Sequence, residues 1–239
     1  MPFSQRGRVW DDGFVKVIHL SGSALSIALV LHFSSFLLAR AEHPEEVPVN
    51  VVVENGPPEI QKMAHDIVAE TAWRFQQASG VAVGKMPIHV VFVDTVDTGE
   101  NIRTDSGRVQ GVTIYNPETS SCTVQIPLRK SSSFGRVLAH EVTHAFVREA
   151  YGRVINRTLN EGLAEYMASL EFPSEVRHDL QRARGSGLML VLRPYVDGQQ
   201  FCQDHATDPH FGSFLASEFK TSHLTYSQLS KAWKEQFPE

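Results

Sequence analysis

The sequence predicts an α+β fold, on three observations. Short β-branched stretches bounded by turn residues follow residue 46. One long amphipathic helical pattern sits among them. Helical periodicity then dominates from about residue 134 to the C-terminus. A length of 239 residues allows one or two domains and a sizeable core. Hydrophobic residues at 42% and charged residues at 21% exclude both a disordered chain and a multi-span membrane protein. The formal net charge of -5 argues against nucleic acid as a partner, since that usually needs a basic face.

The N-terminus is set apart. Residues 20–39 carry no formal charge beyond what His32 could acquire, and Arg6, Arg8 and Lys16 precede them. This reads as an export signal in one of two forms. Residues 1–41 are a signal peptide cleaved after the Ala39-Arg40-Ala41 sequence, or residues 20–39 are an uncleaved single membrane anchor behind a cytoplasmic n-region. Either form places the rest of the chain outside the cytoplasm, in a periplasmic or extracellular space. A buried helix of a soluble core fits poorly, because a Pro-containing acidic stretch, 42–48, follows directly.

Residues 42–58 are then a linker and first strand, and 59–239 a single domain. Within the linker region, 47–53 is rich in valine and reads as the strand. Residues 59–79 read as a helix, with Ile60, Met63, Ala64, Ile67, Val68, Thr71, Ala72 and Phe75 at helical spacing; core packing explains that pattern fully. Residues 88–94 are a second apolar strand, and 99–111 a glycine-punctuated loop or hairpin. Two short strands, 112–115 and 122–128, flank an Asn116-Pro117 turn. Serines 131–133 offer a cap for a helix over 134–151, which Gly152 ends. Further helices are expected over 159–170, 174–184, 209–220 and 226–236. Cys122 and Cys202 lie after the export segment, so they either pair as a disulfide in an oxidising compartment or stay as two buried thiols.

The chemistry concentrates in the helix over 134–151. It contains His140-Glu141-Val142-Thr143-His144. Residues four apart on a helix point the same way, so His140 and His144 can share one zinc ion. Glu141 then projects near the open metal position, where a carboxylate can take a proton from bound water. Two solvated histidines on a surface helix are the competing reading. It is weakened by Val137, Leu138 and Ala145, which set the motif among apolar positions where buried polar groups need partners.

A second constellation follows: Asn160-Glu161-Gly162-Leu163-Ala164-Glu165-Tyr166, at the start of the next helix. Catalytic zinc usually has three protein ligands plus water, and Glu161 is a suitable third. Glu165, one turn on, can accept a hydrogen bond from the far nitrogen of a ligand histidine. A solvated acidic face is the alternative for this pair.

Together the two motifs resemble those of the gluzincin branch of zinc metallopeptidases, the peptidase MA-like superfamily. The resemblance implies Glu161 as third ligand and Glu165 as its supporting acid. The 16 residues between His144 and Glu161 suit the small members of the group. It also implies a zincin-like core: a small twisted mixed sheet, an active-site helix and a glutamate helix, followed by C-terminal helices. The sheet's edge strand beside the cleft, here expected at 122–128, would pair with substrate backbone. Such families also use a tyrosine or histidine as oxyanion donor. His210, His205, Tyr195 and Tyr166 are the candidates, and the sequence assigns none of them.

The expectation is therefore an exported zinc-dependent peptidase, more in the manner of an endopeptidase, acting on a peptide or protein substrate. A catalytically inactive zinc-binding domain that captures a partner is the alternative. His65, His89, His178 and His223 have no ligand spacing, and Asn156-Arg157-Thr158 is a glycosylation sequon close to Glu161.

Overall fold

The computed structural model describes residues 47–94, 96, 111–127, 134–174 and 189–238. The export segment lies outside them, as do the helix expected over 174–184 apart from residue 174 and the loop expected over 99–111 apart from residue 111. Among the described residues no helix is long and apolar enough to cross a membrane. The architecture is α+β, with a four-stranded mixed sheet and six helices among the described residues.

Strand β1 (Val51–Glu54) leads into helix α1 (Pro58–Ser79), which returns the chain to strand β2 (Ile88–Val93). Pro58 stands at the first turn of α1, where its missing N–H costs nothing. β1 and β2 run parallel, as a crossover helix requires. Strands β3 (Val112–Asn116) and β4 (Ser121–Pro127) form an antiparallel hairpin, and β4 pairs parallel with β2. The sheet order is β1-β2-β4-β3.

That order corrects one expectation. The strand around 122–128 is internal, held by β2 on one side and β3 on the other; on that side β3 is the edge among the described residues. Sequence patterning could not separate the two, because the hairpin turn gives either strand the same neighbour. Only the β2–β4 pairing decides which one is left outside.

Alternate residues of β2 and β4 are buried: Ile88, Val90 and Phe92, then Cys122, Val124 and Ile126. They join α1 and helix α2 (Phe134–Tyr151) in one apolar cluster. α2 contributes Leu138, Val142, Ala145 and Phe146, all fully buried. Each large side chain so buried is worth about 1.5–3 kcal/mol. Gly152, at φ 66°, ends α2 and sends its N–H back to the Arg148 carbonyl at 2.9 Å.

Helix α3 (Arg157–Glu171) begins at Asn156, whose side-chain oxygen accepts from the Thr158 N–H while its amide nitrogen donates to the Thr221 carbonyl. The sequon asparagine is thus spent on a helix cap. Helix α4 (Met189–His205) was not expected, because Pro194 and Gly198 interrupt its pattern. Helix α5 (Phe211–Leu215) is far shorter than the expected 209–220, and α6 (Tyr226–Gln236) matches its expected span, opened by a Thr225–Gln228 capping box. Cys122 and Cys202 are both buried and free, which decides against the disulfide.

Candidate metal centre

α2 carries four polar residues at intervals of four: Arg136, His140, His144 and Arg148. They form one stripe along the helix. His140 and His144 sit at its centre, both largely buried, with Nε2 atoms 3.3 Å apart. α3 crosses here and delivers Glu161 from its first turns. Glu161 Oε2 lies 3.6 Å from His140 Nε2 and 3.7 Å from His144 Nε2. One donor atom from each of the three residues can therefore face a single point, and among the described residues this is the one His/Cys/Asp/Glu cluster so arranged.

The surroundings call for positive charge. Glu165, one turn beyond Glu161, places Oε1 3.2 Å from His140 Nδ1. Arg136 reaches the same carboxylate at 3.3 Å, from the preceding turn of α2. Burial works against ionising Glu165, but His140 and Arg136 overcome it and hold its acidity at about 2. Burial likewise disfavours the imidazolium of His140, yet Glu161 and Glu165 together push it up to about 10. Glu161 is held below the usual carboxylate range by His140 and His144 despite its own burial. His144 Nδ1 is buried with no hydrogen-bond partner among the described residues, and His140 Nδ1 meets Glu165 as a close ionic contact short of hydrogen-bond geometry.

Glu141 lies on the flank of the stripe, over the sheet edge. The Thr113 hydroxyl on β3 sits 2.9 Å from Glu141 Oε2 and 2.7 Å from its backbone carbonyl, and donates to one or the other. Gly111, just before β3, leaves the space that the Glu141 side chain occupies. A Cβ there would stand 2.8 Å from Glu141 Cγ. Neither Gly111 nor Thr113 was singled out by sequence. The only signal was their position at the mouth of a short strand.

Comparison with protein-family models, with curated proteins and with solved structures finds no match to this chain. What the site can do rests on its own geometry.

That geometry separates the four oxyanion candidates. Tyr195, on α4, lines the same groove as His140, Glu141, His144 and Glu161, and its ring stacks on His140 at 6.4 Å between centroids. Burial, aided by the Glu161 charge, pushes its hydroxyl up to about 12, so it stays a hydrogen-bond donor. The other three do not line the groove. His205 is clasped between Phe201 and Trp233, each 4.4 Å away, and burial lowers its basicity. His210 stacks on Phe237 at the surface, and Tyr166 packs against the core. The groove holds about 480 Å³ and runs on along α2 and β3 past Tyr115, Arg148, Arg153 and Val154.

Proposed function

We propose that this chain is a zinc-dependent peptidase in which His140, His144 and Glu161 bind the metal and Glu141 is the general base. The observation that carries the reading is the triangle of donors with edges of 3.3, 3.6 and 3.7 Å. Nitrogen and oxygen donors about 2.0–2.1 Å from a tetrahedral zinc ion stand about 3.3–3.4 Å apart. Two imidazoles and one carboxylate are a zinc set that keeps one position open for water. The resemblance of both motifs to those of gluzincins supports the same reading, and so does the excess of negative charge around His140.

A bound zinc ion would supply Lewis acidity and lower the pKa of the water it holds. The chain's own groups do the rest. Glu141, steadied by Thr113, receives the proton from the attacking water and passes it to the leaving amine nitrogen. Tyr195 donates its hydroxyl hydrogen bond toward the carbonyl oxygen as charge develops there. Glu165 fixes the ring of His140 through Nδ1 and is itself anchored by Arg136. β3 has no strand on its outer side among the described residues, so a peptide can lie along it as an added strand. The apolar, charge-free run over 20–39 supports export of this domain to the far side of a membrane.

The test is a mass-spectrometric digest of a diverse peptide mixture by the zinc-loaded chain, beside its Glu141→Gln variant. Cleavages made by the first and missing from the second are expected. Identical digests from two folded, zinc-loaded proteins would refute the peptidase reading and favour a metal-stabilised binding domain.

A further inference from the structure

Two arginines line the groove beyond the metal ligands, and they differ in what they already hold. Arg153 is committed: Nη1 bonds Glu218 at 2.7 Å and Nη2 bonds the Ala216 carbonyl at 2.7 Å. Arg148, one helical turn past His144, is not. Its guanidinium carbon lies 4.1 Å from the centroid of the Tyr115 ring. No carboxylate pairs with it among the described residues. Its sequence neighbour Glu149 is fully engaged elsewhere, accepting the backbone N–H groups of Gly84, Lys85 and Met86 at 2.8–3.1 Å. A guanidinium stacked on an aromatic face is fixed in plane while its N–H edges stay open, which suits bidentate recognition of a carboxylate.

The placement along the groove adds direction. Thr113 and Tyr115 lie on the same face of edge strand β3, two residues apart. Thr113 marks Glu141 and hence the bond to be cut; Tyr115 marks Arg148. A peptide pairing antiparallel with β3, the more stable of the two arrangements, runs from Tyr115 toward Thr113. Its residues beside Arg148 therefore precede the scissile bond.

We infer that Arg148, held on Tyr115, forms a subsite for an acidic side chain on the N-terminal side of the cleaved bond, so that the preferred substrates are peptides with Asp or Glu there. The inference rests on the reading of this groove as a peptide site, and it can be tested apart from turnover. Binding is measured on the full-length, zinc-loaded Glu141→Gln protein, using two fluorescein-labelled alanine- and threonine-based decapeptides that differ only in one central Glu or Gln. The Glu peptide is expected to bind about tenfold more tightly at low salt. Adding Arg148→Gln should abolish the difference, while Arg148→Lys should keep part of it and show that the fold is intact. In the digest by the wild-type chain, acidic residues should be enriched before the cleaved bond, and Arg148→Gln should lose that enrichment. Equal binding of the two peptides, or a preference that survives Arg148→Gln, would overturn the inference. So would Arg148-dependent enrichment after the bond. A digest with abundant cleavage and no acidic preference sinks the subsite alone. A digest with no cleavage, beside Arg148-dependent binding of the Glu peptide, sinks the peptidase reading and leaves the binding subsite.

Discussion

Gly162 and Gly198 meet backbone to backbone where α3 crosses α4. A Cβ on Gly162 would stand 2.2 Å from the Gly198 carbonyl carbon, and one on Gly198 would stand 1.9 Å from the Thr158 carbonyl oxygen. This contact matters because each glycine is close to a site residue. Gly162 follows Glu161, and Gly198 lies one turn after Tyr195. The closeness of the two helices is what brings the tyrosine over the histidines. Gly162→Ala should therefore push α4 away, with a loss of about 1–3 kcal/mol of stability by thermal unfolding. Turnover should fall further than stability does, because Tyr195 moves with its helix. An alanine variant as stable and active as the parent would remove this account of the crossing.

The Thr113 hydroxyl is expected to matter for rate and not for metal. Thr113→Val deletes the bond to Glu141 with little change in volume. A drop in kcat of about tenfold is anticipated, the effect of losing one positioning hydrogen bond of about 1–1.5 kcal/mol. Zinc content should be unchanged by elemental analysis, and Thr113→Ser should restore most of the rate. If the valine and serine variants turn over alike, the hydroxyl has no positioning role.

Glu165 touches His140 and Arg136, and makes no ligand contact of its own. Its replacement by Gln should weaken zinc binding by about 10- to 100-fold, the usual scale for groups that support a ligand histidine. Competition with a chromophoric chelator reads this directly. Replacing Glu161 by Ala should be more damaging, since a donor is lost outright. Stripping the metal with a chelator should lower the unfolding temperature of the parent chain, because the metal binds only the folded state.

Glu171, at the far end of α3, provides a pH test away from the metal. Burial, reinforced by Glu70, raises its pKa to about 7, against the pull of Arg74 and the Thr71 hydroxyl. The unfolded chain ionises this group near 4.5. Between those values the folded chain holds the proton more firmly, so stability falls as pH rises through the window. Glu171→Gln should thus leave stability almost unchanged at pH 4 and raise it by about 1–3 kcal/mol at pH 8. Denaturant unfolding at the two pH values checks the sign; a variant less stable at pH 8 contradicts it.

The helix over 134–151 and the pairing of His140 with His144 were legible in the sequence. Both depend only on the 3.6-residue period and an apolar flank. Glu161 as a candidate ligand, and Glu165 as a candidate acceptor for a ligand histidine, were readable from residue type and spacing, although their approach to His140 is a property of how α2 and α3 cross. The free thiols, the true edge strand and helix α4 were not legible. Pro194 and Gly198 broke the pattern of α4, and the second of these proves to be the contact that seats it.

What the sequence by itself determined is the local set: which side chains share a helix face, and so which donors can act together. Tertiary structure alone decided what surrounds them. Sheet order put β3, with Thr113 and Tyr115, at the edge beside Glu141 and Arg148. The seating of α4 put Tyr195 on the groove, while His205, His210 and Tyr166 do not line it. The physical reason is that helix periodicity is a short-range property of a few consecutive residues. Strand pairing and helix crossing join residues far apart in the chain, and no local pattern records the partner.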